Sequence, residues 1–210
     1  MKDSSQVKTL DRLKADYCGL IFYEGSKRWV GKPNEIFRGD LDKTAIKKIG
    51  VFVNEDPRQV VKIAADYHLY AVQLHGNESP DYCRDVRNTI KVIKVFRLEE
   101  GNDADELVLP FMDVADYFLF DNGKGGYGGS GEKFNWDDLR KAKINKPFFL
   151  SGGIGPADVA LVKSFEHPFL FAIDINSRFE ISPGVKDMDK LEVFINAVKP
   201  LPWPALYCQL

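Results

Sequence analysis

The chain has 210 residues, 44% hydrophobic and 29% charged, which suits one well-buried domain of the size α/β barrels reach and argues against a second. A formal net charge of -2 gives no electrostatic footprint for nucleic acid or an anionic membrane surface, and no apolar run approaches the roughly 18 residues of a membrane span. The polar start Met1-Lys-Asp-Ser-Ser has no signal-peptide core, and the three cysteines, Cys18, Cys83 and Cys208, fit neither a disulfide framework nor a metal site, so reduced thiols and a cytoplasmic location are expected.

The first predicted element is a helix over 4–13, capped by Ser4 or Ser5, and a strand follows over 17–22. Residues 32–41 carry no clear pattern. A strand over 49–53 leads to Asp56-Pro57, a cap with a first-turn proline, and to a helix with Val60, Val61, Ile63 and Ala64 on one side. Next come a strand over 71–74, a second cap-plus-proline at Ser79-Pro80 opening a helix to about residue 87, an alternating strand over 90–96 and a short helix over 103–111. The wholly apolar run 117–120 reads as a strand covered on both faces, and it delivers Asp121 to a glycine-rich loop. A helix over 136–141, a strand over 148–150, a helix over 156–164, a strand over 169–175 and a helix over 188–198 complete the series.

Strict alternation of this kind implies parallel strands joined by right-handed crossovers. Seven strands and eight helical segments are found, with a helix first, whereas a closed barrel of this class pairs eight with eight and begins with a strand. The expected fold is therefore a (β/α)8 TIM barrel of the phosphate-binding type whose first strand is missing. It would occupy residues 1–199, with a proline-rich tail over 200–210.

Candidate site residues fall at strand ends, where α/β proteins bind ligands. Asp121 reads as an acid beside a loop long enough to move as a lid, or as a helix cap. Ser151-Gly-Gly-Ile-Gly155 presents backbone N–H groups ahead of Pro156; alone it is a tight turn, but with the polar loop Asp174-Ile-Asn-Ser177 it favours phosphate binding. His75 is the one histidine at a strand end, a structural group or a ligand contact in equal measure. Arg28 can fork onto a carboxylate or be merely solvated, and Trp29 reads as a packing residue.

Assembled in order, these segments resemble the phosphoribosylanthranilate isomerases, (β/α)8 barrels of tryptophan biosynthesis, over about residues 3–199. The resemblance is carried by Gly19-Leu-Ile-Phe-Tyr-Glu-Gly-Ser-Lys-Arg28, Gly50-Val-Phe-Val-Asn54, Val72-Gln-Leu-His-Gly-Asn-Glu-Ser-Pro80, Leu119-Phe-Asp121 with Gly128-Gly-Ser-Gly131 and Phe134-Asn-Trp136, Ser151-Gly-Gly153, Asp174-Ile-Asn-Ser177 and Ser182-Pro-Gly-Val-Lys-Asp187. It implies an Amadori rearrangement of a small phosphosugar-anthranilate substrate without cofactor or metal. Asp121 matches the family's general acid, Arg28 the group on the anthranilate carboxylate, and Gly152, Gly153, Asp174 and Ser177 the phosphate loops. For Asp121 to donate a proton near neutral pH its pKa must be raised.

The family takes its general base from a cysteine on the first strand, and this chain starts at the loop after that strand. Cys18 matches a core position of the next strand and does not replace it. The favoured expectation is a start at an internal methionine and a chain left inactive by loss of the base. The other is that the tail supplies the strand, with Cys208 rising to the mouth beside Asp121. A non-catalytic phosphosugar-binding barrel and the related histidine-pathway sugar isomerase are the rival functions; one phosphate site and Arg28 disfavour the second. The chain is expected to be a monomer or a homodimer.

Overall fold

The computed structural model describes residues 4–31, 35–99, 101–122, 136–199 and 205–209. Eight parallel strands close a barrel. Seven are β1 (Tyr17–Ile21), β2 (Lys47–Phe52), β3 (Ala71–Leu74), β4 (Lys91–Leu98), β5 (Tyr117–Asn122), β6 (Phe148–Leu150) and β7 (Leu170–Ile175). After the short antiparallel pair β8 (Glu180–Ser182) and β9 (Val185–Lys186) comes the eighth barrel strand, β10 (Ala205–Gln209), inserted between β1 and β7. Helices α1 (Ser4–Arg12), α2 (Glu35–Leu41), α3 (Pro57–Asp66), α4 (Pro80–Arg87), α5 (Ala104–Val108), α6 (Asp137–Lys141), α7 (Val159–Lys163) and α8 (Met188–Val198) are spaced along the chain between them.

The missing strand is thus a correction. The position expected to be empty is filled from the other end of the sequence, and residues 205–209, expected in a tail, belong to the sheet. Two unpaired edges drive this closure: β1 and β7 would otherwise leave rows of N–H and C=O groups without partners. β10 satisfies both, pairing Tyr17 with Tyr207 and Gly19 with Gln209 on one side and Ala205 with Ala172 on the other. Asp16 pins the register, since Leu206 N donates to its carboxylate at 2.8 Å and Asp16 N donates to Leu206 O at 3.1 Å. The patternless stretch before residue 41 contributes α2.

Side chains alternate across each strand, and the two faces form two apolar clusters. Tyr17, Ile49, Ala71, Ile93, Val95, Leu119, Phe149, Ala172 and Tyr207 fill the barrel interior. The other parity, including Cys18, Val72, Phe118, Phe148, Ile173 and Cys208, packs beneath the helices. Helix starts follow the sequence signals: Asp56 accepts from the N–H groups of Arg58 and Gln59, and Ser79 accepts from that of Tyr82.

Candidate active site

Continuing the inward parity by one residue pair toward the carboxyl ends brings polar groups to the mouth: Gln73 on β3, Arg97 on β4, Asp121 on β5, Asp174 on β7 and Gln209 on β10. His75 and Ser151 join them just beyond β3 and β6. A buried staple holds His75 in place. Lys94 Nζ bonds Glu78 Oε2 at 2.7 Å and Gly76 O at 2.8 Å, while Glu78 Oε1 accepts from the N–H groups of Asn54 and Gly76 at 2.9 and 3.1 Å. Gly76 must be glycine here, because a Cβ would lie 2.3 Å from Asn54 Oδ1.

A directional chain of hydrogen bonds runs through the mouth. Lys186 Nζ has three acceptors, Asn176 O at 3.1 Å, Asn176 Oδ1 at 2.7 Å and Glu180 Oε1 at 3.2 Å, which use the three protons of an ammonium. With its oxygen so engaged, Asn176 donates through Nδ2 to Gln209 Oε1 at 3.1 Å. Gln209 Nε2 then donates to Gln73 Oε1 at 2.9 Å, and the Tyr207 hydroxyl donates to the same oxygen at 2.9 Å. Gln73 is left to donate through Nε2 to His75 Nδ1 at 3.1 Å. The network therefore assigns His75 the Nε2–H tautomer, with Nε2 3.7 Å from Asp121 Oδ2, beyond hydrogen-bond reach. Burial, with Arg97 and Lys94 nearby, pushes the His75 pKa down to about 3, so the ring is neutral.

Asp174 has the opposite character. It is 4% exposed, Ser151 Oγ donates to its Oδ2 at 2.8 Å, and its Oδ1 has no hydrogen-bond partner among the described residues. Burial pushes its pKa up to about 8, with Asp121 adding to the rise and Ser151 and Lys186 opposing it. Arg28 sits on the loop after β1 and forks onto Glu180, with Nε at 2.9 and 3.0 Å from its two oxygens and Nη2 at 2.7 Å from Oε2. Burial raises the Glu180 pKa, but the bonds and charges of Arg28, Lys186 and the Gly184 N–H bring it below the usual value. Gly152 and Gly153 follow β6 with φ of 94° and 73°, left-handed conformations that favour glycine and turn the backbone at the mouth. Ser177 opens a short turn after β7.

The structure thus brings Asp121, His75 and Asp174 together and gives Arg28 a carboxylate partner within the chain. Cys208 does not reach the mouth. Parity turns Tyr207 and Gln209 inward and Cys208 outward, into the layer beneath the helices, where burial pushes its thiol up to about 12. The glycine-rich lid expected after Asp121 lies outside the described residues. Sequence reasoning gave no side-chain role to Gln73, Glu180, Lys186 or Gln209, and to Ser151 only a place in the phosphate loop; inward parity from Ala71, Phe149 and Tyr207 marks Gln73, Ser151 and Gln209.

The family model for N-(5'-phosphoribosyl)anthranilate (PRA) isomerase matches residues 1–197. The chain belongs to the phosphoribosylanthranilate isomerase family. It is 40% identical over 200 residues to the enzyme of that name from Parabacteroides distasonis, covering 94% of this chain and 90% of the relative. It is also similar to the crystal structure of phosphoribosyl anthranilate isomerase from Thermotoga maritima, with a TM-score of 0.81 and 31% identity over 96% of each chain. A further family structure holds reduced 1-(o-carboxyphenylamino)-1-deoxyribulose 5-phosphate and matches with a TM-score of 0.78 and 29% identity over 96% of each chain. The barrel strand β10 lies beyond the span matched by the isomerase family model.

Proposed function

We propose that this mouth rearranges N-(5'-phosphoribosyl)anthranilate to 1-(2-carboxyphenylamino)-1-deoxyribulose 5-phosphate, the phosphoribosylanthranilate isomerase step of tryptophan biosynthesis, and that the chain is active with β10 in place. The observation that carries this reading is Asp121 at the carboxyl end of β5, beside a neutral His75 and the buried Asp174. The rearrangement moves hydrogen within one molecule, so paired proton-transfer groups meet its needs without an external oxidant or a cofactor.

The phosphate is assigned to the N–H groups of Gly152 and Gly153 and the Ser177 hydroxyl. Asp174 leaves that set, because its side chain is buried and engaged by the Ser151 hydroxyl. Arg28, oriented by Glu180, is assigned to the anthranilate carboxylate, and His75 to support of Asp121. We place the protein in the cytoplasm as a monomer or homodimer; the Thermotoga maritima relative is described as dimeric.

Turnover of N-(5'-phosphoribosyl)anthranilate by the purified chain tests the reading. Saturable formation of the deoxyribulose product is expected, with Arg28→Gln raising KM more than it lowers kcat and Cys208→Ala retaining activity. Tight binding of the reduced product analogue without turnover would instead identify a phosphosugar-binding barrel that does no chemistry.

A further inference from the structure

The buried line of amides ends at His75 Nε2, an N–H with no hydrogen-bond partner among the described residues. Its direction is set at the far end. Asn176 turns its side-chain oxygen to the Lys186 ammonium at 2.7 Å, so it must donate to Gln209, Gln209 to Gln73 and Gln73 to His75 Nδ1. The Tyr207 hydroxyl, donating to Gln73 Oε1, holds the last amide from a second side. Each bond polarises the next, and the cation at the head of the line makes the final N–H a stronger donor. Leaving a buried donor unpaired is costly, which points to an acceptor that arrives with a ligand.

Resting on the isomerase reading, with Asp121 as the acid, we propose that His75 is a catalytic hydrogen-bond donor to the furanose ring oxygen and that Gln73 is the positioning residue that keeps the ring proton on Nε2. Nε2 and Asp121 Oδ2 are 3.7 Å apart, too far to bond each other but spaced so that one oxygen can sit about 2.8 Å from both. The ring oxygen has two lone pairs, one for each donor. As its bond to C1' breaks, the electron pair stays on oxygen, which takes the proton of Asp121, and the nitrogen lone pair forms the C1'=N iminium. His75 gives up no proton. Its N–H meets the charge that gathers on oxygen, so the contact is stronger in the transition state than in the bound substrate.

Nitrogen-15 NMR of the histidine-labelled free protein at neutral pH tests the positioning without needing turnover. The signals of His75 are told from those of His68 and His167 by their loss in His75→Leu. A proton on Nε2 and a bare Nδ1 are expected. Gln73→Glu puts a carboxylate where the amide stood; it still accepts from Gln209 and Tyr207 but can only accept from His75, so it should place a proton on Nδ1. A proton on Nδ1 in the unmodified protein, or a bare Nδ1 in Gln73→Glu, overturns the proposal.

Kinetics supply the second arm. In single turnover of N-(5'-phosphoribosyl)anthranilate, His75→Leu removes the donor and should slow the chemical step about 10²-fold with little change in KM. His75→Gln, whose amide N–H can take the place of Nε2–H, should recover part of that loss, and Gln73→Glu should slow the same step. An unaltered rate in His75→Leu or Gln73→Glu, or a loss confined to KM, overturns the proposal. Failure of the unmodified chain to turn over, with the expected tautomer in place, would sink the isomerase reading and the ring-oxygen role with it. Full turnover with the proton on Nδ1 would sink this proposal alone.

Discussion

The two ends of the barrel are built on different chemistry. At the end where the strands begin, aromatic rings plug the interior: Tyr17, Tyr117, Phe149 and Phe171 meet at centroid distances of 4.8–6.2 Å, and Lys47 and Lys91 lie 4.8 and 4.4 Å from the Tyr70 ring. Polar atoms there are paired, with the Tyr70 hydroxyl 3.3 Å from that of Tyr117 and accepting from Lys91 at 3.0 Å. At the other end a line of amides crosses the mouth and stops short, leaving His75 Nε2 and Asp174 Oδ1 buried without hydrogen bonds among the described residues. Unsatisfied groups are costly, so these two at the mouth mark where a substrate supplies the missing partners.

Replacing Asp121 by Asn should break the mouth alone, lowering kcat by about 10³-fold while the thermal unfolding midpoint barely moves. Phe149→Ala should do the converse. This ring is 1% exposed and touches Tyr17, Tyr117, Phe171 and Tyr207, so its loss should cost about 3–5 kcal/mol in a denaturant titration. Gln73→Leu cuts the amide line and leaves the Tyr207 hydroxyl, Gln209 Nε2 and His75 Nδ1 without their partner; a loss of about 1–3 kcal/mol and an altered pH profile of kcat are expected.

Stability against pH sharpens the contrast further. Folded His75 binds a proton only near pH 3, against 6.5 when unfolded, so the stability it contributes is present above about 6.5 and lost as pH falls toward 3. Folded Asp174 keeps its proton to about pH 8, against 3.8 unfolded, so its contribution is present below about 3.8 and lost as pH rises to about 8. His75→Gln should flatten the acid side of the curve and Asp174→Asn the neutral-to-alkaline side, each by at most one proton's slope. Lys91→Met, at the aromatic end, should cost only about 0.5–1 kcal/mol and leave the pH profile of turnover unchanged.

Most of the scaffold was legible because the strands from β1 to β7 carry apolar runs, several of them followed by helix caps and first-turn prolines. β10 was not, since five residues behind a proline-rich stretch carry too little pattern to outweigh a surface tail, and only the unpaired edges of β1 and β7 give them a partner. Asp121 and His75 could be found as polar residues ending apolar strands. The amide line could not, because Asn176, Gln209 and Gln73 are far apart in sequence and meet only when the ring closes. Cys208 shows the limit of reading by residue type: a thiol one position from an inward-facing residue belongs to the opposite face.

That closure has a temporal side. Leu206 and Asp16, whose backbone and side chain lock β10 against β1, are 190 positions apart. During synthesis the seams on β1 and β7 therefore stay open until nearly every other barrel element has left the ribosome. A nascent chain in that interval exposes two adhesive borders to its neighbours, so its yield in cells should depend on chaperones that shield them more than its finished stability would suggest.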